Sequence, residues 1–214
     1  VSFEDGNGNP GWPGYAKMRL DRSPSCSNYI TESDVTLIMP NTIEQGLCNS
    51  MTLNGDLQSG TRTGWSTSWF GFQVKQEGNT TNYYGQTTNR KLTRSNLYKW
   101  VDMSCVRPGE TYRFTGKFKL KTQEGVDIGC TLGAGNCASL SLRLTSGDDQ
   151  NSPILSWGIG TIEVVGDGTW ATFDWLYTLP DDAFPEEAYQ ALVMFRGAKK
   201  RNYAVDDFQV SVVS

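Results

Sequence analysis

Apolar and polar residues alternate with a period of two along much of this chain. In 112–120, Tyr112, Phe114, Phe118 and Leu120 alternate with Arg113, Thr115, Lys117 and Lys119. In 139–145, Leu140, Leu142 and Leu144 are separated by Ser141 and Arg143. Phe173, Trp175, Tyr177 and Leu179 share one face of 169–179, and Tyr189, Ala191, Val193 and Phe195 share one face of 189–195. Near the end, Phe208, Val210 and Val212 repeat the pattern, which would also turn Asp206 inward. Successive strand side chains point to opposite sides of a sheet, so each stretch predicts a strand with one buried face. Turn signals such as "RPGE" at 107–110 and "VGDGT" at 165–169 punctuate them. Helix signals are scarce: "DDAFPEEAYQ" at 181–190 holds a turn or two, interrupted by Pro185. The pattern predicts an all-β fold, an antiparallel β-sandwich of jelly-roll type with two packed sheets and about eight or more strands.

The first stretch reads differently. "FEDGNGNPGW" at 3–12 is echoed by "LQSGTRTGW" at 57–65, a partial internal repeat. Residues 1–48 are too few for a second sandwich. They are expected to form an appended segment that packs on a main module at 49–214, or else to be the head of that domain, followed by an insertion.

Composition narrows the function. With 37% hydrophobic and 20% charged residues the chain is globular. A net charge of −4 argues against a nucleic acid, which needs a cationic surface. No apolar run approaches a membrane span of about 18 residues. The chain begins at Val1, as a processed or trimmed start would. It contains no His, which removes Ser–His–Asp and Cys–His catalysis and His-ligated zinc. No convincing carboxylate pair of the glycosidase kind is visible.

The five cysteines form no CxxC motif. Abundant Gly, Asn, Ser and Thr suggest a secreted or cell-surface protein, where disulfides persist. The expected pairs are Cys130–Cys137 and Cys26–Cys48, leaving Cys105 over; a Cys105–Cys130 bridge is the alternative. The sequon Asn79-Thr80-Thr81 lies in a polar loop suited to glycosylation.

Several motifs follow one another in a recognisable order: "LNGDLQSGTRTGW", "YYGQTTNR", "RPGETYRFTGKFKL", "SLSLRLT", "GDGTWATFDWLYTLP" and "NYAVDDFQVSVV". Over about 51–214 this order resembles carbohydrate-binding modules of families 4, 9 and 22. The resemblance implies a β jelly roll that binds polysaccharide without catalysis. It also implies a first strand near Met51–Leu57 beside the last, joined by structural calcium at Asp56, Gln58, Asp206 and Asp207. Hard oxygen ligands suit that ion, but Gln58 stands where the family usually has Glu.

In such modules aromatic faces stack on sugar rings while polar side chains take the hydroxyls. The candidates here are Trp69, Tyr83, Tyr84, Arg90, Trp100 and Trp157. Tyr83 and Tyr84 point opposite ways on a strand, so only one can line a groove. Trp65 reads as core or loop anchor, and Trp170, Trp175 and Tyr177 as core. Arg113, Lys117, Lys119 and Lys121 form a cationic stripe, either beside the groove, where it would suit anionic glycans, or on an ordinary solvated face. The expected function is non-catalytic binding of a neutral or anionic polysaccharide. The alternative is a structural or adhesive module that contacts neighbouring modules of the same protein.

Overall fold

The computed structural model describes residues 48–68, 70–91, 96–132, 136–145, 155–181, 188, 190–197 and 200–213. All of them belong to the unit spanning Ile43–Ser214. Residues 1–47 of the expected appended segment, Cys26 among them, and Trp69 therefore lie outside the described residues, as does most of 181–190.

Among the described residues, ten strands form two antiparallel sheets. In chain order they are β1 (Trp65–Thr67), β2 (Gly71–Gln76), β3 (Tyr83–Thr88), β4 (Leu97–Val101), β5 (Thr111–Lys121), β6 (Ala138–Thr145), β7 (Leu155–Ile162), β8 (Ala171–Thr178), β9 (Gln190–Arg196) and β10 (Asn202–Val212). The first sheet runs β1-β4-β9-β6-β7 and the second β2-β3-β10-β5-β8. A single 3-10 turn, Met103–Cys105, links β4 to β5, with Asp102 capping it by accepting from the Ser104 amide. The sandwich expected from the alternation is the one found.

The core lies between the sheets. β5 sends in Tyr112, Phe114, Phe118 and Leu120, and β6 sends in Leu140, Leu142 and Leu144. Trp65 is buried among Phe72, Phe195 and Phe208, with ring centres 5.6 to 6.0 Å apart, and its indole N–H donates to the Asn54 carbonyl. Tyr203 ties the sheets together: its hydroxyl donates to the Phe195 carbonyl at 3.0 Å and accepts from the Leu97 amide at 3.2 Å. Burial pushes that hydroxyl's pKa up to about 12, so it stays a donor.

Two bridges close the module, Cys48–Cys105 and Cys130–Cys137. The second is the pair expected. The first corrects Cys26–Cys48: the amide of Val212 donates to the Cys48 carbonyl, which sets Cys48 at the β10 end of the sandwich within reach of Cys105. Residues 51–57 make turns instead of a first strand, yet they run beside the last strand as expected. Met51 donates to the Val210 carbonyl, and Phe208 donates to the Gly55 carbonyl.

Candidate functional site

Each sheet has an outer face turned away from the core, and the two faces differ in chemistry. On the second sheet, register puts Arg113, Lys117, Lys119 and Lys121 in one outward row, and every member has a carboxylate. Arg113 pairs with Asp174, Lys117 with Asp207 at 2.6 Å, Lys119 with Glu77 at 4.0 Å and Lys121 with Asp127 at 2.7 Å. Trp170 lies on this face rather than in the core, against expectation. Its indole N–H donates to Glu77 at 2.9 Å, the Lys119 ammonium sits 4.5 Å from its ring centre, and Tyr84 meets it edge-on at 5.6 Å. Trp170 directly precedes β8, whose inward positions begin at Ala171, so parity turns it outward. The stripe is thus a locally neutralised surface.

The first sheet's outer face is apolar where solvent would favour polar groups. Inward positions of β4 are Leu97, Lys99 and Val101, paired with Phe195, Val193 and Ala191 of β9. The intervening Tyr98 and Trp100 therefore face outward, paired with Met194 and Leu192. These four side chains form a cluster separate from the core; Tyr98 and Leu192 are 0% exposed, Met194 4%, and Trp100 is half-buried. From β6, Ser141 and Arg143 join the same rows beside Met194 and Leu192. Gln190 and Thr145 pair at one end of the face, and Arg196 and Ser139 at the other.

Polar atoms are buried in this face without any hydrogen-bond partner. Among the described residues, Ser141 Oγ and Asn96 Oδ1 are two such atoms, and Asn96 reaches the hydroxyl of Tyr98 only through its amide nitrogen. A buried oxygen left unsatisfied costs about 1–3 kcal/mol unless something else completes it. A partly exposed ring, Trp100, on an apolar bed with the partly exposed Arg143 and Gln190 nearby supplies elements of a surface that holds a polyhydroxylated ligand. Tyr98 and Ser141 flank Met194 from adjacent strands, so about 10 Å of sheet separates them.

The other sequence candidates are dispersed. Trp157, from β7, is partly buried, packs against the core and pairs with Leu142, away from the Tyr98–Trp100 cluster. Arg90 is fully buried: its guanidinium donates to the carbonyls of Arg201 and Gly197 and lies 4.7 Å from the Tyr203 ring centre. It fastens the β9–β10 connection from inside, which corrects its expected role at a groove. Tyr83 and Tyr84 do alternate across β3, with Tyr84 alone on an outer face. Asn79 is exposed in the turn between β2 and β3. Missed in the sequence were Tyr98, Ser141, Arg143, Gln190, Leu192 and Met194. The signal for two of them was there: "ALVMF" at 191–195 is apolar at every position, the mark of a strand buried on both faces.

The expected metal residues are brought near one another but not into one donor set. A register shift between Asp206 and Gln209, with Asp207 at φ 50°, turns Asp206 opposite Lys117 rather than inward. Asp206 is nonetheless fully buried; its carboxylate accepts from Asn82 Nδ2 at 3.0 Å and from the Asp207 amide at 2.8 Å. Burial raises its pKa. Among the described residues, no three acidic or Cys side chains gather closely enough to hold an ion. A shallow depression of about 550 Å³ lies away from these groups, lined by Arg113, Asp174, Leu176, Ser211, Val212 and Val213.

Comparison with known proteins gives the fold a context. No protein-family model matches the chain, and no curated protein sequence matches it. Solved structures do. A family 22 xylan-binding module of Paenibacillus barcinonensis superposes with a TM-score of 0.54 at 17% identity, over 75% of this chain and 92% of that module. The C-terminal family 22 module of a Clostridium thermocellum xylanase, studied for the conserved amino acids of its cleft, gives 0.53 at 16%, over 76% and 95%. The enzymatically active domain of a bacteriophage CBA120 tailspike gives 0.52 at 13%, over 77% of this chain but 22% of that one. The fold is the β jelly roll of the carbohydrate-binding modules.

Proposed function

We propose that this chain is a non-catalytic polysaccharide-binding module whose ligand face is the outer face of the first sheet. The observation that carries this reading is the cluster of Tyr98, Trp100, Leu192 and Met194 on a face turned from the core, with Trp100 and the neighbouring Arg143 and Gln190 partly exposed. Trp100 is the stacking ring, since it keeps partial exposure while the other three form its bed. Arg143 and Gln190, both partly exposed, supply hydroxyl contacts. The xylan-binding modules that share the fold make xylan the first neutral glycan to try. The paired charges on the second sheet weigh against an anionic glycan there. Two disulfides support an oxidising, extracellular setting.

Affinity electrophoresis through gels containing xylan, β-glucan, mannan, alginate or a sulfated glycan tests the reading. A neutral glycan should retard the protein, and Trp100→Ala should weaken binding about tenfold or more, the loss of roughly 1–3 kcal/mol of ring stacking. No retardation of folded protein by any glycan would sink it. One observation favours a structural or adhesive module instead: three of the four apolar side chains have almost no exposure, as a protein-packing face would. Lack of retardation would leave that reading standing.

A further inference from the structure

The side-chain nitrogen of Gln58 faces three oxygens. It lies 3.0 Å from the Asp56 carbonyl, 2.6 Å from Asn82 Oδ1 and 3.3 Å from the Tyr83 carbonyl. Two N–H groups cannot fully satisfy three acceptors, so this exposed corner of the module holds more acceptor capacity than an amide needs. Convergent oxygens from a side-chain amide and two backbone carbonyls are hard ligands of the kind calcium takes. The reverse amide orientation would aim Oε1 at three oxygens with no donor between them, so the nitrogen is the atom that faces them. The charge for an ion is missing, however. Gln58 is neutral, Asp207 is spent on Lys117, and both Asp206 oxygens are engaged by Asn82 and the Asp207 amide. The Asp56 carboxylate accepts from the Gln58 backbone amide. The residues present do not fit a calcium site.

We propose that the Gln58 amide takes the place of a cation in this chain, closing the 51–64 loop against the start of β3 without metal. The position links three parts of the module. Gln58 contacts Asn82 and Tyr83 before and at the start of β3, Asn82 continues to Asp206 on β10, and Gly55 bonds Phe208 on the same strand. This holds whether or not the module binds sugar. Restoring a carboxylate should turn the same oxygens into a cation site.

Thermal unfolding of the whole chain in calcium chloride and in excess EDTA tests this directly. The wild-type midpoint should be the same in both, and calorimetric titration with calcium should release no heat of binding. Gln58→Glu should unfold earlier than wild type in EDTA, because its carboxylate then faces three oxygens alone. Calcium at a hundredfold over its dissociation constant should raise that variant's midpoint by about 5 °C or more. A wild-type midpoint that rises by several degrees with calcium would overturn the proposal, and the wild-type arm needs no variant to fold. A folded Gln58→Glu indifferent to calcium would also overturn it.

Discussion

At the scale of single residues, the least expected feature is Lys99, a lysine on the inward face of β4 with no solvent exposure. Its ammonium donates to the Leu53 carbonyl and lies 5.0 Å from the Trp65 ring centre. Burial lowers its pKa to about 7, only partly opposed by Asp56. In the unfolded chain the group stays protonated until about pH 10.4. Between those values the unfolded state binds more protons than the folded one, so stability rises with pH from about 7 upward and is flat in this respect below 7. The slope attributable to Lys99 approaches about 1.4 kcal/mol per pH unit. Urea unfolding at a series of pH values should show that slope in wild type and its loss in Lys99→Met. Parallel profiles would contradict the assignment. Lys99 and Arg90 share a lesson about legibility. Charge makes each read as surface, but long apolar stems, a ring and backbone carbonyls accommodate both inside.

At the scale of elements, alternation alone located β5, β6 and β8 and assigned their buried faces, because each has one polar and one apolar side. It failed where geometry breaks the count. The bulge in β10 reverses the parity of Asp206, and no residue in "YAVDDFQV" announces it. In β9 alternation found the strand and its inward Ala191, Val193 and Phe195, but because the strand is apolar on both faces it did not show that the other side forms a separate surface. The proposed ligand face was therefore half legible in the sequence, which offered Trp100 as a candidate but not the side chains beneath it. β3 offers an element-level test. A Cβ at Gly85 would come within 2.2 Å of the Phe72 ring, on the inner side of the β2–β3 pair. Gly85→Ala should therefore destabilise the module by about 1–3 kcal/mol through overpacking. An unchanged denaturation midpoint would show that Phe72 yields freely.

At the scale of the whole molecule, closure and surface are separate problems. The Cys48–Cys105 bridge spans 57 residues and encloses β1 to β4, whereas Cys130–Cys137 spans 7. Chain entropy assigns about 4 kcal/mol to the first and about 2.5 kcal/mol to the second. Guanidinium unfolding of the two double-serine variants should show the larger loss for Cys48/Cys105; equal losses would contradict the entropic ordering. Across the surface, one outer face balances each cation of its stripe with a carboxylate, and the other sets rings and aliphatic side chains around polar atoms without partners. That asymmetry is the basis for placing the ligand.

Two-dimensional NMR of isotopically labelled protein, titrated with oligosaccharides of the glycan that retards it most, tests the placement most directly. If the ligand lies on the first sheet, the largest shifts fall on Tyr98, Trp100, Ser141, Arg143, Gln190, Leu192 and Met194, with 113–121 and 172–178 unmoved. Shifts confined to the second sheet around Tyr84, Lys119 and Trp170, or no shifts at all, would contradict it.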